Sequence, residues 1–208
     1  MDTRHAYNMW ASQYDSNFNR TRDLEAKALR TTLKNIFFDG CLEIGCGTGK
    51  NTEWLMKKAK QITAVDLSDE MLAKAKEKIT SDKVMFIQAD ITKEWTFKNG
   101  LYDLISFSLV LEHIENLNSI IKKASQSLKS DGHVYIGELH PFKQYAGSKA
   151  RFDTEDGQHI VECFNHHVSD FIHAAKKNEL VLVDVDEYFD DKEKSGIPRI
   201  LTILLKKP

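Results

Sequence analysis

The chain reads as an α/β sandwich of three layers, with helices on both faces of a mostly parallel sheet. Three observations predict this. Short apolar runs of strand length alternate with amphipathic helical stretches from about residue 40 to residue 138, the pattern of successive βαβ units. The first three of those runs each end in an acid or a glycine turn, near Glu43, Asp66 and Asp90, so polar groups recur at one edge of the sheet. Two late runs, Leu180–Tyr188 and Arg199–Leu205, are joined by the short charged loop Asp190–Pro198. A parallel crossover needs a dozen or more residues, so this pair suits an antiparallel hairpin.

Bulk properties narrow the field. At 208 residues the chain suits one domain with a sizeable core, with residues 1–38 as a helical cap and 142–168 as an insertion on the substrate side. Lys and Arg total 29 against 31 Asp and Glu, a formal net charge of -2, so no global field favours a polyanion and a nucleic-acid partner is disfavoured. Cys41, Cys46 and Cys163 show neither zinc-type spacing nor a disulfide framework, which suits a reducing cytoplasm. No apolar run approaches the ~18 residues of a membrane span, so a soluble, unprocessed cytoplasmic protein with no membrane partner is expected. Nothing in the residues fixes its oligomeric state.

In chain order, Tyr7, Trp10 and Tyr14 recur at helical spacing within Met1–Asp15 and form an aromatic stripe, either a docking face or a lid. A second helix is expected over Asp23–Phe38, its apolar face carrying Leu24, Ala28, Leu29, Leu33, Ile36 and Phe37. Then comes Cys41-Leu42-Glu43-Ile44-Gly45-Cys46-Gly47-Thr48-Gly49, a strand running into alternating glycines that permit a sharp turn and close approach of a ligand. A helix over about Lys50–Lys57 should aim its N-terminal N–H groups at that ligand. The spacing is G-x-G-x-G, not the G-x-G-x-x-G of a dinucleotide site, and Glu43 would repel a pyrophosphate. A zwitterion fits better, its ammonium near Glu43 and its carboxylate at the helix. Gln61–Asp66 is a buried strand, and Asp66 lies 19 residues after Gly47, close to the ~20 expected for a carboxylate that takes a ribose diol. A helix follows over Asp69–Ile79, then strands over Val84–Ile91 and Tyr102–Ser108, a helix over Asn116–Lys129, a turn at Ser130-Asp131-Gly132 and a fifth strand over His133–Glu138. A helix over Ser169–Lys177 precedes the final pair of strands.

On these residues the segment around Gly45-Cys46-Gly47-Thr48-Gly49 resembles motif I of the class I S-adenosylmethionine-dependent methyltransferases, small-molecule type, and the likeness extends over roughly Cys41–Glu138. The resemblance implies a Rossmann-like three-layer α/β/α sandwich with a seven-stranded, mostly parallel sheet and a C-terminal antiparallel hairpin. It also implies S-adenosylmethionine as co-substrate, with contacts from Tyr14, Glu43, Gly45, Cys46, Gly47 and Gly49 at the cradle, from Asp66, Leu67 and Met71 after the second strand, and from Ala89, Asp90 and Ile91 around the adenine. Phe107 and Ser108 should face the sulfonium. The run after the fourth strand lacks the (Asn/Asp)-Pro-Pro-(Tyr/Phe) signature of related nucleobase enzymes.

The implied activity is transfer of the sulfonium methyl to a small-molecule acceptor, releasing S-adenosylhomocysteine; the acceptor is not legible. Alternatives are a nucleic-acid or protein methyltransferase, a nicotinamide dehydrogenase, or a non-catalytic module that only binds S-adenosylmethionine. Histidine has the right unperturbed pKa to remove a proton from an acceptor, so His140 and His113 stand first, His166 and His167 next, and Tyr14 as an orienting donor. His159, His166 and His167 with Glu162 or Cys163 match no standard ligand spacing, and no metal is expected. A small hairpin turn is expected at Asp156-Gly157.

Overall fold

The computed structural model describes residues 2–154 and 157–208. Seven strands form one sheet: β1 (Gly40–Ile44), β2 (Gln61–Asp66), β3 (Val84–Gln88), β4 (Tyr102–Ser108), β5 (Leu128–Leu139), then β8 (Val181–Tyr188) and β9 (Ile200–Lys206). Their spatial order is β3-β2-β1-β4-β5-β9-β8. The first five pair in parallel, and β9 pairs antiparallel with both β5 and β8. Sequence order reverses between β1 and β4, which opens a crevice at the carboxyl ends of the central strands where ligands of such sheets bind.

Alternation along the strands makes the layers. Ile105, Val134, Ile136, Ile203 and Leu205 face one side, where they pack with Ile120 and Ile121 of α5 (Leu117–Ser127) and Phe171 of α7 (Val168–Lys177). Leu104, Tyr135 and Leu204 face the other, against Leu29 and Leu33, at the end of α2 (Arg20–Thr32), and Leu55 of α3 (Thr52–Leu55). A strand buried on both faces favours apolar residues at most positions, which is why these runs read as nearly continuous hydrophobic stretches, broken by buried Glu43, Thr63, Ser106 and Thr202.

Above the carboxyl edge, α1 (Thr3–Trp10) lies on α4 (Asp69–Lys78), where the Ser68 hydroxyl that caps α4 also donates to Asn8 at 2.6 Å. The insertion supplies α6 (Pro141–Tyr145) and a hairpin of β6 (Arg151–Thr154) and β7 (Gly157–Ile160). Trp10 stacks on Phe152 with ring centroids 5.2 Å apart, so the N-terminal cap and the insertion form one roof. Of the expected hairpin turn, Asp156 lies outside the described residues and Gly157 opens β7. No helix among the described residues is long and apolar enough to cross a membrane.

Three expectations need correction. The helix after the glycines is only Thr52–Leu55, because beyond it the chain tightens into i→i−3 bonds, Lys57 N–H to the Trp54 carbonyl at 3.1 Å and Lys58 N–H to the Leu55 carbonyl at 2.9 Å. The second helix stops at Thr32, and Phe37 stands 93% exposed, since the chain must leave the helix to reach β1, whose Gly40 N–H donates to Asp103 at 2.7 Å. The fifth strand starts at Leu128, and Ser130–Gly132 is a register shift inside it, with Asp131 in the left-handed region (φ 63°), rather than a separating turn.

Candidate active site: two clefts with a common wall

β1 ends at Ile44 and the chain turns at once. Gly45 (φ 73°) and Gly47 (φ 52°) are left-handed, and the N–H groups of Gly45 and Cys46 both donate to the Val65 carbonyl at 2.7 and 3.0 Å. A Cβ on Gly45 would stand 1.8 Å from Val110 Cγ2, so only glycine lets the two segments meet there. Asp66 completes the turn: one carboxylate oxygen accepts from Gly47 N–H at 2.8 Å, the other from Ser68 N–H at 2.9 Å. Burial pushes its carboxyl up from the ordinary value. The residue expected to bind a ribose therefore also holds the loop that would receive the ligand.

These groups line a cleft of about 320 Å³ at the carboxyl edge. Of the residues expected to contact a cofactor, it gathers Tyr14, Gly45, Gly47, Asp66, Leu67 and Met71, then Ala89, Asp90, Ile91 and Ser108. Asp90 spends one oxygen on the Thr92 N–H and hydroxyl, at 2.8 and 2.6 Å. Four others stand elsewhere. Glu43 is buried beneath the loop, where it accepts the Thr52 hydroxyl at 2.6 Å and burial raises its pKa to about 8. It carries no full charge for an ammonium near neutrality, because its strand position turns it below the edge. Cys46 is buried in the core, Gly49 is pressed against Ile79 and Ala75 of the neighbouring helix segment, and Phe107 is completely buried under the floor that Ser108 tops.

Among the candidate bases, only His113 and Tyr14 reach the cleft. His113 Nδ1 lies 2.7 Å from the Glu162 carbonyl, which can only accept, so Nδ1 carries the proton and Nε2 accepts the Tyr7 hydroxyl at 2.9 Å. Both ring nitrogens are thus committed. Burial raises the Tyr14 phenol to about 12 despite the Arg22 guanidinium 4.4 Å from its ring centre. His140 is not a free base: it caps α6 by accepting Phe142 N–H at 3.1 Å and pairs with Glu187 at 2.9 Å, under Phe142. His166 bonds the Ile114 carbonyl at 2.7 Å, and His167 bonds Tyr145 at 2.6 Å at the start of α7. His159 bonds Thr154 at 2.8 Å, so the histidines of the insertion disperse to separate partners.

A second cleft of about 470 Å³ opens on the other side of a wall made by Tyr7, Tyr14 and Leu109, which line both. Tyr7 was visible in the sequence only as part of an aromatic stripe. Leu109 adopts φ 56°, a left-handed conformation that costs a branched residue about 1–2 kcal/mol. It is held there by its N–H, which donates to the Gly137 carbonyl at 2.8 Å.

Comparison with known proteins bears on this arrangement. Residues 42–136 match the model of a methyltransferase domain. The malonyl-[acyl-carrier protein] O-methyltransferase of Priestia megaterium is 34% identical over 155 residues, covering 69% of this chain and 56% of that protein; the chain spans about half the length of the curated relatives it matches. Two solved structures share the fold. An S-adenosylmethionine-dependent methyltransferase from Clostridium acetobutylicum has a TM-score of 0.71 at 21% identity, covering 96% of each chain. The N-methyltransferase NodS from Bradyrhizobium japonicum, in complex with S-adenosyl-L-homocysteine, has a TM-score of 0.71 at 18% identity, covering 98% of this chain and 99% of that one.

Proposed function

Since the chain belongs to the class I S-adenosylmethionine-dependent methyltransferases, we propose that it transfers the methyl group of S-adenosylmethionine to a small molecule held in the second cleft. One observation carries the reading: the glycine turn, Asp66 and Asp90 line a single cleft that is divided from another by only Tyr7, Tyr14 and Leu109. The first cleft has the chemistry of a cationic nucleoside site. Asp2, Asp66, Asp90 and Glu162 line it against Arg4, which favours a ligand bearing an ammonium and a sulfonium.

Each acid keeps capacity for such a ligand. A carboxylate oxygen has two lone-pair sites, so Asp66 can hold the loop and still accept ribose hydroxyls, while the Asp90 oxygen not used by Thr92 is left for the adenine amino group. Leu67, Met71, Ala89 and Ile91 supply apolar contacts around the base, and Tyr14, with Ser108, closes the end toward the second cleft. Because the sulfonium supplies an activated leaving group, what this chain must contribute is alignment of an acceptor at ~3–3.5 Å from the methyl carbon. Tyr7 is suited to this. Its proton is given to His113, so its oxygen presents lone pairs at the common wall; His113 acts on the acceptor only through Tyr7 and is a positioning residue.

The test is calorimetric titration with S-adenosylhomocysteine and, separately, with NADH. The first should bind to the wild type and at least about tenfold more weakly to Asp66→Ala; the second should not bind. Equal affinity for S-adenosylhomocysteine in both proteins would remove the assignment.

A further inference from the structure

The second cleft differs in kind from the first. Its lining carries Arg20, Arg22, Lys149, Arg151 and Arg199, with Glu112 as the single acid, in a chain whose formal net charge is -2. Arg199 is already matched, since it donates to Asp190 through Nε and Nη2 at 2.5 and 2.7 Å. Arg20, Lys149 and Arg151 are exposed at the rim. Glu112 is buried, and desolvation raises its carboxyl above the ordinary value, toward the neutral form.

Deeper in, two donors have nothing to donate to. Trp10 is 7% exposed and Arg22 9% exposed, and among the described residues neither the Trp10 indole N–H nor the Arg22 Nε–H has a hydrogen-bond partner. The other two guanidinium nitrogens of Arg22 each donate once, to the Tyr14 and Asn17 carbonyls, so the guanidinium is fixed in place with its Nε–H unpartnered. Neither donor can be rescued by exchanging an amide or choosing a tautomer. A buried donor without a partner bears its desolvation penalty uncompensated, and two in one cleft imply a ligand that supplies acceptors. Both sit close to the common wall. The Trp10 ring stacks on Tyr7 at 5.7 Å and meets Tyr14 edge-on at 5.0 Å, and Arg22 lies 4.4 Å over Tyr14.

We propose that the second cleft takes a small organic acid, with its carboxylate held by Trp10 Nε1–H and Arg22 Nε–H, and that a carboxylate oxygen is the methyl acceptor. This rests on the methyl-donor reading of the first cleft. A planar anion fits two donors set among aromatic rings better than a tetrahedral phosphate with three acceptor oxygens. The reaction balances without a base. A carboxylate lone pair forms the O–CH3 bond while the S–CH3 electron pair returns to sulfur; the anion becomes a neutral methyl ester, the sulfonium a neutral thioether, and no proton moves. That agrees with a common wall whose Tyr7 bonds His113, a histidine with both nitrogens engaged.

The experiment measures S-adenosylhomocysteine formation by the full chain from S-adenosylmethionine and a panel of C3 to C8 mono- and dicarboxylic acids, set against their methyl esters, the matching alcohols and amines, and inorganic phosphate as a binding competitor. Product that releases methanol on mild alkaline treatment, formed from acids and not from alcohols or amines, is the expected result. In Trp10→Phe, which keeps an aromatic ring and removes the N–H, KM for the acid should rise about tenfold while S-adenosylhomocysteine affinity stays within about twofold. Arg22→Lys should raise KM in the same direction. If S-adenosylhomocysteine binds normally and only alcohols or amines are methylated, or no acid is a substrate, the proposal is overturned with the methyl-donor reading intact. Failure to bind S-adenosylhomocysteine at all would instead remove the reading beneath it.

Discussion

The two clefts share Tyr7, Tyr14 and Leu109 and are otherwise built on opposite principles. The first is acidic and takes its core from the ends of consecutive strands β1, β2 and β3, so its chemistry appears in the sequence at regular intervals. The second is basic and collects Trp10 from α1, Arg22 from α2, Glu112 after β4, Lys149 and Arg151 from the insertion and Arg199 from the loop before β9. The lesson concerns what each ligand demands. A ligand held by backbone turns and strand-end carboxylates needs only the fold, whereas a ligand held by side chains on five segments needs this particular chain.

The largest expected effect breaks the first cleft and leaves the second to be assessed against it. Gly45→Ala forces a Cβ to within 1.8 Å of Val110 at φ 73°, and should cost about 3 kcal/mol or more in stability and about a hundredfold in S-adenosylhomocysteine affinity. Gly47→Ala, with nothing within 4 Å of the new Cβ, should lose only the left-handed penalty of about 1 kcal/mol. Urea denaturation and calorimetry on the pair check both numbers; equal losses would show that crowding by Val110 is not what requires glycine.

Asp66→Ala sharpens the separation of the clefts. It leaves the Gly47 and Ser68 N–H groups without their carboxylate, a charge-assisted pair each worth about 1.5–3 kcal/mol. S-adenosylhomocysteine affinity should drop tenfold or more while the affinity for a dicarboxylate probe changes by about twofold at most, the mirror image of Trp10→Phe. Isothermal titration of each variant with each ligand gives the four values, and coupled losses would mean that the wall transmits rather than divides.

A third effect comes from the carboxyls buried below the clefts. Burial raises Glu25 to about 7 and Glu43 and Glu138 to about 8, against an ordinary 4.5. A carboxyl whose folded pKa is raised keeps its proton in the native state after the unfolded chain has released it, so its contribution is complete below 4.5 and is lost as pH rises through 7 to 8. Denaturant midpoints should therefore fall between pH 5.5 and 8.5. In Glu43→Gln the slope should flatten by about 1 kcal/mol per pH unit over that range. An unchanged slope would mean that Glu43 is ionised in the native protein.

Two strands were legible to the residue, β2 at Gln61–Asp66 and β4 at Tyr102–Ser108, because strands buried on both faces read as mostly apolar runs, whereas β3 ends at Gln88, short of Ile91, and β5 begins at Leu128, ahead of His133. Residue type near a strand end was legible too; direction was not. Glu43 and Asp66 look equivalent in the sequence, but alternation and the tight turn at Gly45 aim one beneath the loop and the other across it. His140 looked like a free base at a strand end, and the structure spends both its nitrogens on Phe142 and Glu187. The Tyr7–His113 pair spans 106 positions, and the second cleft joins residues still farther apart. No periodicity or spacing rule reaches across such separations, so only the fold could reveal that two of its donors lack partners among the described residues.

The smallest expected effect tests the wall itself. Leu109 keeps φ 56° although nothing about leucine favours it, and its N–H is fastened to Gly137 of β5. Leu109 lines both clefts, so the strained turn places one apolar residue between the proposed nucleoside site and the proposed acid site. Comparing Leu109→Gly with Leu109→Ala removes the side chain from both and leaves only the backbone difference. If the left-handed conformation is retained, the glycine variant should be the more stable by about 1 kcal/mol, the reverse of the order at an ordinary extended position, where glycine is the worse residue. Urea midpoints at constant m-value decide it. Alanine proving as stable as glycine would mean that the chain relaxes out of the left-handed region once the leucine is gone. The leucine side chain would then hold the turn, and the divider between the clefts would be made by packing rather than by the hydrogen bond to β5.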